Sequence, residues 1–350
     1  MNRSRRGTSC HTFKMIELAP EIVTHLGDGS AAFDRIFALT GQLYRHVEGR
    51  QTLPVEIGGE TYFLKRHHGY GWKRIVRSLL AGRWPVLSAR NEVEAICRLN
   101  AVGISSVDVV GFGERGRNPA TRQSFLLMRT LSDCRDLEKI CREWPQQSPS
   151  PVFRREVIEA VAETTKRMHD AGVNHRDYYL CHLWLELSSV RVSDLELIRR
   201  PLIKPKINGV TQAEHEPIAI GIVGNRSQAP LRLHVIDLHR AMLRRRVPLF
   251  WLIKDLAGLL FSAWEYGLTK SDCVRFLRAY RGRSTRDVLA DERWLWRCVI
   301  WRAVQLFRKT HRGEPKVMLV VPKVRRRAIE QQPTNHGDRD SLTAPARRAA

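Results

Sequence analysis

The stretch that most constrains this chain is the helix read over Phe153 to Ala171 and the loop that it feeds. Val157, Ile158, Val161, Ala162, Thr165, Met168 and His169 share one helical face, and Gly172 supplies the stop. His169 packs on that face. The helix delivers the chain into Gly172-Val173-Asn174-His175-Arg176-Asp177, and the run continues to His182. A compact His-Arg-Asp triplet by itself also suits an exposed turn, so its meaning depends on what else the chain carries and in what order.

Upstream, Leu43 to Val47 and Leu53 to Ile57 alternate, and Glu48 to Gln51 separates them. Gly58-Gly59 turns the chain into a third strand, Thr61 to Lys65. No Gly-x-Gly-x-x-Gly stands at Glu48 to Gln51, where a nucleotide-covering hairpin would lie. A lysine closing an apolar strand is either an edge residue or a contact for nucleotide phosphates, and the second role needs a carboxylate to hold it. A helix over Ser88 to Val102 supplies one, with Ser88 as N-cap, Gly103 as stop and an apolar stripe of Val93, Ile96, Cys97 and Leu99. Glu92 and Glu94 both lie near its start, and periodicity leaves the choice open. Strands over Val107 to Gly113 and Ser124 to Met128 follow, turned by Asn118-Pro119, and Met128 to Leu131 would cross to a second lobe.

Downstream, Asp133 to Glu143 reads as helical and Leu183 to Leu187 as a short apolar segment. Ser188 to Leu231 is polar and irregular, a surface insertion with one hairpin around Ile218 to Val223. A strand then ends in Asp237, where an acid either caps a helix or turn or is placed to bind magnesium. Pro248 starts an apolar helix through Tyr266 that contains Asp255. If buried, Asp255 needs a partner, and the backbone of the His175-Arg176-Asp177 loop is one. Thr269 caps a further helix to Tyr280, and Asp287 to Lys309 is amphipathic, with Trp294, Trp296, Trp301 and Phe307 among arginines. Lysine, helix glutamate, loop aspartate and strand aspartate thus appear in the order a protein-kinase fold requires. A single loop aspartate of this kind orients an attacking hydroxyl in phosphoryl transfer.

Charge restricts the partners. The 350 residues carry a formal net charge of +23, which calls for an anionic partner. Arg66 to Asn91 holds Arg66, Lys73, Arg74, Arg77, Arg83 and Arg90, with Trp72 and Trp84 interleaved and no Asp or Glu. A solvated basic helix and a clamp for an anionic acceptor or lipid headgroups both fit this stretch. Neither zinc-finger spacing nor an arginine-glycine repeat is present, which argues against nucleic acid. Seven scattered cysteines without Cys-x-x-Cys suit reduced thiols in a cytoplasmic protein. The apolar run Leu249 to Trp264 is interrupted by Lys254 and Asp255, too short and too charged to span a bilayer.

Taken together, Gly172 to His182, Val235 to Arg240 and Lys254-Asp255-Leu256 resemble the lipopolysaccharide core heptose(I) kinase family. Tyr62 to Lys65, Pro85 to Leu87 and Gly111 to Phe125 are similar to it as well. The likeness runs from about Leu43 to Tyr280. It implies an α+β, bilobal protein-kinase-like fold with a small β-rich N-lobe and a larger helical C-lobe. On this basis residues 1–16 form a basic tail, and 17–130 the N-lobe with a basic insertion at 66–87. Residues 131–322 form the C-lobe with the 188–231 insertion, and 323–350 a disordered tail. The family uses ATP and Mg²⁺ to phosphorylate a heptose hydroxyl of the lipopolysaccharide inner core, at the cytoplasmic face of the inner membrane.

Carried over residue by residue, the resemblance makes Asp177 the catalytic base, within the loop triplet His175, Arg176 and Asp177. Lys65 contacts nucleotide phosphates, Glu92 pairs with Lys65, Met128 marks the adenine-side crossing and Asp237 binds magnesium. His182 stands where ordinary kinases place an Asn that binds metal. Magnesium prefers oxygen, which favours contact of His182 with phosphate or acceptor. Arg74 and Arg77 are the acceptor-binding candidates. The lipopolysaccharide inner core, an anionic membrane surface and an acyl carrier protein are the implied partners. A Kdo or other small-molecule kinase of the same fold is the first alternative, and a pseudokinase scaffold binding lipopolysaccharide or membrane the second.

Overall fold

The computed structural model describes residues 15–42, 45–47, 49–82, 84–199, 230–315 and 319–322. The expected hairpin around Ile218 to Val223 and both expected tails fall outside the described residues, apart from Met15 and Ile16 of the N-terminal one. The architecture is the expected bilobal α+β one. In the small lobe, in chain order, come β1 (Ile16–Leu18), α1 (Pro20–Leu26), α2 (Gly29–Ala38), β2 (Arg45–Val47), β3 (Arg50–Ile57), β4 (Glu60–His67), α3 (Trp72–Leu80), α4 (Arg90–Ala101), β5 (Val109–Arg115) and β6 (Gln123–Arg129). The strands form one antiparallel sheet in the order β1-β5-β6-β4-β3-β2.

Strand alternation sorts β6 between two cores. Phe125 and Leu127 face Ile22, Phe33 and Ile36 of α1 and α2. Leu126 and Met128 face Val93, Ile96 and Leu99 of α4, in a core that runs on into the large lobe. Ile16 to Leu18, read from sequence as the end of the tail and the start of the lobe, pair with β5 instead. Three residues are too short a run for alternation to register. The cap of α4 also differs from expectation. Ala89 is the N-cap, and Ser88 lies one residue further out, its Oγ accepting from the Arg90 amide at 3.1 Å.

The large lobe comprises β7 (Cys134–Asp136), α5 (Leu137–Arg142), α6 (Pro151–Asp170), β8 (Val173–Asn174), β9 (Leu183–Glu186), α7 (Val192–Arg199), β10 (Leu233–Val235), β11 (Met242–Leu243), α8 (Leu249–Ala263), α9 (Lys270–Arg281) and α10 (Thr285–His311). The segment expected to be helical over Asp133 to Glu143 therefore begins as a strand. β7 pairs with β9, and Asp136 then caps α5 by accepting from the Lys139 amide at 2.7 Å. The polar stretch after Ser188 starts with a helix, α7, rather than irregular chain. Its Asp194 is buried and accepts from the Ser150 hydroxyl at the start of α6 (2.9 Å), so the first part of the stretch is tied to the lobe.

α6, α8, α9 and α10 enclose a second apolar core built on Leu256, Trp264, Leu277, Trp296 and Phe307. The tryptophans of α10 divide: Trp296 packs inside while Trp294 and Trp301 face solvent. The six described cysteines are free thiols. Among the described residues, no helix is long and apolar enough to cross a membrane.

The start of α9 is fastened by a buried charge. Thr269 and Asp272 form a capping box. Asp272, itself buried, also accepts from Arg154 of α6, from Nε at 3.1 Å and 3.3 Å and from Nη2 at 2.5 Å. Burial alone would raise the Asp272 carboxyl, but the bonds from Arg154 and Thr269 outweigh it and hold the group below its usual range. Removing one partner of such a pair leaves a buried charge unmatched. Asp272→Ala is therefore expected to cost about 3 kcal/mol in urea unfolding at neutral pH. Because the folded carboxyl titrates below the unfolded one, the contribution is complete above about pH 4 and fades as pH falls through the folded value. The gap between wild type and variant should narrow in acid.

Candidate active site

The site begins with a carboxylate that cannot stay buried alone. Asp255 of α8 is 0% exposed. Its Oδ2 accepts from the His175 amide at 2.7 Å and its Oδ1 from the Arg176 amide at 2.8 Å. Two oxygens thus satisfy two consecutive amides of the loop, and the loop satisfies the charge. The backbone is bent for this purpose: Arg176 sits at φ 74°, a left-handed conformation that is costly for a long side chain and is maintained by its surroundings. α8 approaches closely because Gly258 faces the loop. A Cβ there would lie 2.8 Å from the Tyr178 carbonyl oxygen.

The loop histidines are fixed next. His175 is fully buried, and its Nε2–H donates to the Ile236 carbonyl at 2.9 Å, just before Asp237. Burial, followed by the neighbouring His182, pushes its pKa down and keeps it neutral. His182 stacks on it at 5.3 Å between centroids and donates from Nδ1 to the Asp177 carbonyl at 2.6 Å. Its Nε2 stands 3.8 Å from Asp237 Oδ2. The histidine pair therefore spaces the Asp177 loop from the Asp237 loop.

Lys65, Glu92 and Asp237 converge. Lys65 Nζ, at the inner face of β4, lies 2.6 Å from Glu92 Oε1 on α4 and 3.0 Å from Asp237 Oδ1. The choice between Glu92 and Glu94 is settled by the azimuth of α4, which points Glu92 inward, buried, toward the strand. Burial opposes the charge on Lys65, but the two carboxylates more than compensate and its pKa rises. Asp237 stands in the left-handed region at φ 57°. Burial alone would raise its pKa, yet Lys65 and the bond from His239 Nδ1 (2.8 Å) hold it well below the carboxylate range.

These groups border a cleft lined by Arg50, Gln51 and Thr52 of β3 together with Lys65, His67, Glu92, Asp237 and His239. Among the described residues, no three His, Cys, Asp or Glu side chains form a metal cage. Magnesium ordinarily uses one or two carboxylates and completes its shell with phosphate oxygens and water. An Asp237 carboxyl held below the usual carboxylate range by Lys65 and His239 suits that arrangement.

Asp177 faces the other side of the loop. Arg240 Nη1 lies 2.8 Å and 2.9 Å from its two carboxylate oxygens. Antiparallel pairing of β8 with β11 brings Arg240 there. Around the Trp251 ring gather three further cations: Arg176 at 4.9 Å, Lys254 at 5.1 Å and Arg244 at 5.9 Å from the centroid. Burial, then the charge of Arg240, lowers the pKa of both Arg176 and Lys254. Positive charge is thus in excess beside Asp177.

The sequence model of the lipopolysaccharide kinase (Kdo/WaaP) family matches residues 34–201 and 222–280. The chain belongs to the lipopolysaccharide kinase (Kdo/WaaP) family. It is 38% identical over 287 residues to the lipopolysaccharide core heptose(I) kinase WaaP of Pseudomonas aeruginosa, covering 82% of this chain and 94% of the relative. It is 37% identical to the Escherichia coli K12 protein of the same name, covering 85% and 99%. A solved structure described as WaaP in complex with acyl carrier protein superposes with a TM-score of 0.62 at 35% identity, covering 83% of this chain and 99% of that one. This Kdo/WaaP kinase therefore has a protein-kinase-like fold, and the family uses ATP.

Of the residues singled out in the sequence, the structure brings Lys65, Glu92, His175, His182 and Asp237 into one network, with Asp177 on the adjoining face. Met128 lies within β6 with its side chain in the core, and the crossing begins at Thr130. Arg74 and Arg77 lie on exposed α3, which contributes no residue to the cleft. Sequence reasoning gave no role to His239, Arg240 or Lys254. Their only signal was adjacency to Asp237 and Asp255. Asp255→Ala should leave α8 folded but release both loop amides. On the reading of Asp177 as base, a displacement of about 1 Å should lower kcat about 100-fold, with little change in nucleotide affinity.

Proposed function

We propose that this chain transfers the γ-phosphoryl group of ATP to a heptose hydroxyl of the lipopolysaccharide inner core, with Asp177 as base. The observation that carries the reading is the placement of Lys65, Glu92 and Asp237 in one ion network while Asp177 is held apart, oriented toward a cation-rich surface. The relatives named core heptose(I) kinases supply the acceptor. A scaffold would have no need to gather two carboxylates around one lysine.

Asp177 orients the hydroxyl and takes its proton as the new O–P bond forms and the bond to the leaving diphosphate breaks. Arg240 keeps the carboxylate in place and leaves lone pairs on both oxygens for the acceptor. Lys65, positioned by Glu92, neutralises phosphate charge, and the crossing after Met128 adjoins the nucleobase. Asp237 would hold Mg²⁺, which supplies further neutralisation of phosphate charge when bound. His182 meets phosphate or acceptor. Lys254 and Arg244 offer positive charge to acidic groups of the acceptor beside the reacting sugar, and Arg74 and Arg77 to its more distant anionic groups.

The site of action is the cytoplasmic face of the inner membrane, where the protein is peripheral. An acyl carrier protein is the proposed protein partner, by likeness to the solved relative and by charge, since an acidic carrier complements a chain of +23. A cavity of about 370 Å³ between α6, α8, α9 and α10, lined by Trp144, Leu180, Leu259, Phe276 and Leu277, has the chemistry to accept an acyl chain.

Two measurements test the reading. With purified inner-core lipopolysaccharide lacking this phosphate, wild type should transfer label from ATP to heptose, and Asp177→Ala should lower kcat by about 1000-fold while still binding ATP. Unchanged turnover would remove Asp177 from the role. Asp237→Ala should lose the thermal shift that ATP and Mg²⁺ together give the wild type, and a shift of equal size in the variant would take the metal elsewhere.

A further inference from the structure

α3 reverses the usual orientation of an amphipathic helix. Trp72, Val76, Leu79 and Leu80 recur at i, i+4, i+7 and i+8, a spacing that ordinarily turns a stripe toward the core. Here Ile75 alone is buried. Trp72 is 57% exposed, Val76 49%, Leu79 46% and Leu80 84%, and Trp84 just beyond the helix is 71% exposed. Lys73 and Arg77 occupy the adjoining arc, and no acidic residue occurs from Arg66 to Asn91. Clustered side chains of this kind are not the scattered apolar residues of an ordinary surface.

The helix is also firmly seated. The Gly71 amide donates to the Ala120 carbonyl at 2.9 Å, and the His68 amide to the Gly49 carbonyl at 2.9 Å. Gly49 precedes Arg50, Gln51 and Thr52, the β3 residues that line the nucleotide cleft. The exposed stripe therefore has a set orientation at one rim of the active-site cleft.

We propose that α3 seats the enzyme on an anionic phospholipid bilayer. The helix lies in the interfacial plane with Trp72, Val76, Leu79, Leu80 and Trp84 among the upper acyl segments, and Lys73 and Arg77 at the lipid phosphates. Aromatic and leucine side chains facing outward beside lysine and arginine are the composition of interfacial helices. A second copy of the chain is a poor occupant, because two-fold pairing would set the same basic helix against itself. The proposal rests on the acceptor being a lipid-anchored glycan, which requires the cleft to work close to a membrane surface. It adds the element that holds the cleft there.

The test uses the full chain and vesicles of phosphatidylcholine alone or with an equal part of phosphatidylglycerol. Wild type should co-sediment with the mixed vesicles and not with the neutral ones. Leu79→Glu/Leu80→Glu, at exposed positions, should melt as wild type does and bind the mixed vesicles about tenfold less well. Lys73→Glu/Arg77→Glu should weaken that binding as well. Transfer to soluble, delipidated core oligosaccharide should be the same for the leucine double variant and wild type, and transfer to vesicle-embedded lipopolysaccharide about tenfold lower in the variant.

Equal vesicle binding by the leucine variant would overturn the proposal. So would loss of binding in Trp294→Ser/Trp301→Ser instead, or loss of acyl carrier protein binding in the leucine variant with vesicle binding intact. Failure of wild type to phosphorylate the soluble acceptor would refute the proposed reaction, independently of the vesicle result.

Discussion

The loop that carries Asp177 depends on a carboxylate placed where water cannot reach it. Asp255 is fully buried, so its charge has to be met by the protein, and the amides of His175 and Arg176 meet it. The same two bonds hold Arg176 in a left-handed conformation that the side chain would not otherwise favour. Satisfying one buried charge thereby sets the direction of the Asp177 carboxylate. The neutral imidazole of His175 extends the control by bonding to the Ile236 carbonyl, so the loop carrying Asp177 and the loop carrying Asp237 are positioned together.

Charge is distributed differently on the two sides of that loop. On one side, Lys65 stands between two carboxylates within hydrogen-bonding distance. That cluster is costly to desolvate, and its charges are met by one another. On the other side, the Asp177 carboxylate stands among Arg176, Arg240, Arg244 and Lys254, with the Trp251 ring at the centre of three of them. The first arrangement suits a site whose charge is completed by a metal and phosphates. The second suits an acceptor that brings negative charge of its own. The net charge of +23 thus has local expressions around Asp177 and on α3.

Much of the architecture was legible in the chain because it is local. α6, β3, β4 and the capping box at Thr269 each follow from side-chain period or from a cap within a few residues. The four charged residues of the cleft and loop were legible by order along the chain. What local pattern could not show was anything decided by a neighbour distant in sequence. β1 exists because Ile16 to Leu18 find an open edge on β5. Cys134 to Asp136 became a strand because β9 lies beside them, although their own sequence reads as the start of a helix. Residues 20–38, which form α1 and α2 over one face of the sheet, have short stripes that gain meaning only against Leu53, Leu64 and Phe125.

The sequence by itself determined which chemical groups are present and in what order: Lys65, a helix glutamate, Asp177 and Asp237, on strands and loops of predictable type. Tertiary structure decided which glutamate turns inward, that Arg240 reaches Asp177, that Asp255 is spent on the loop backbone, and that the apolar stripe of α3 faces out. The physical reason is that periodicity states which side chains share a face, whereas the position of the core relative to that face is set by elements packed from elsewhere in the chain. For α4 that core lies on the side of Glu92, and for α3 it meets Ile75 and leaves the remaining stripe to solvent.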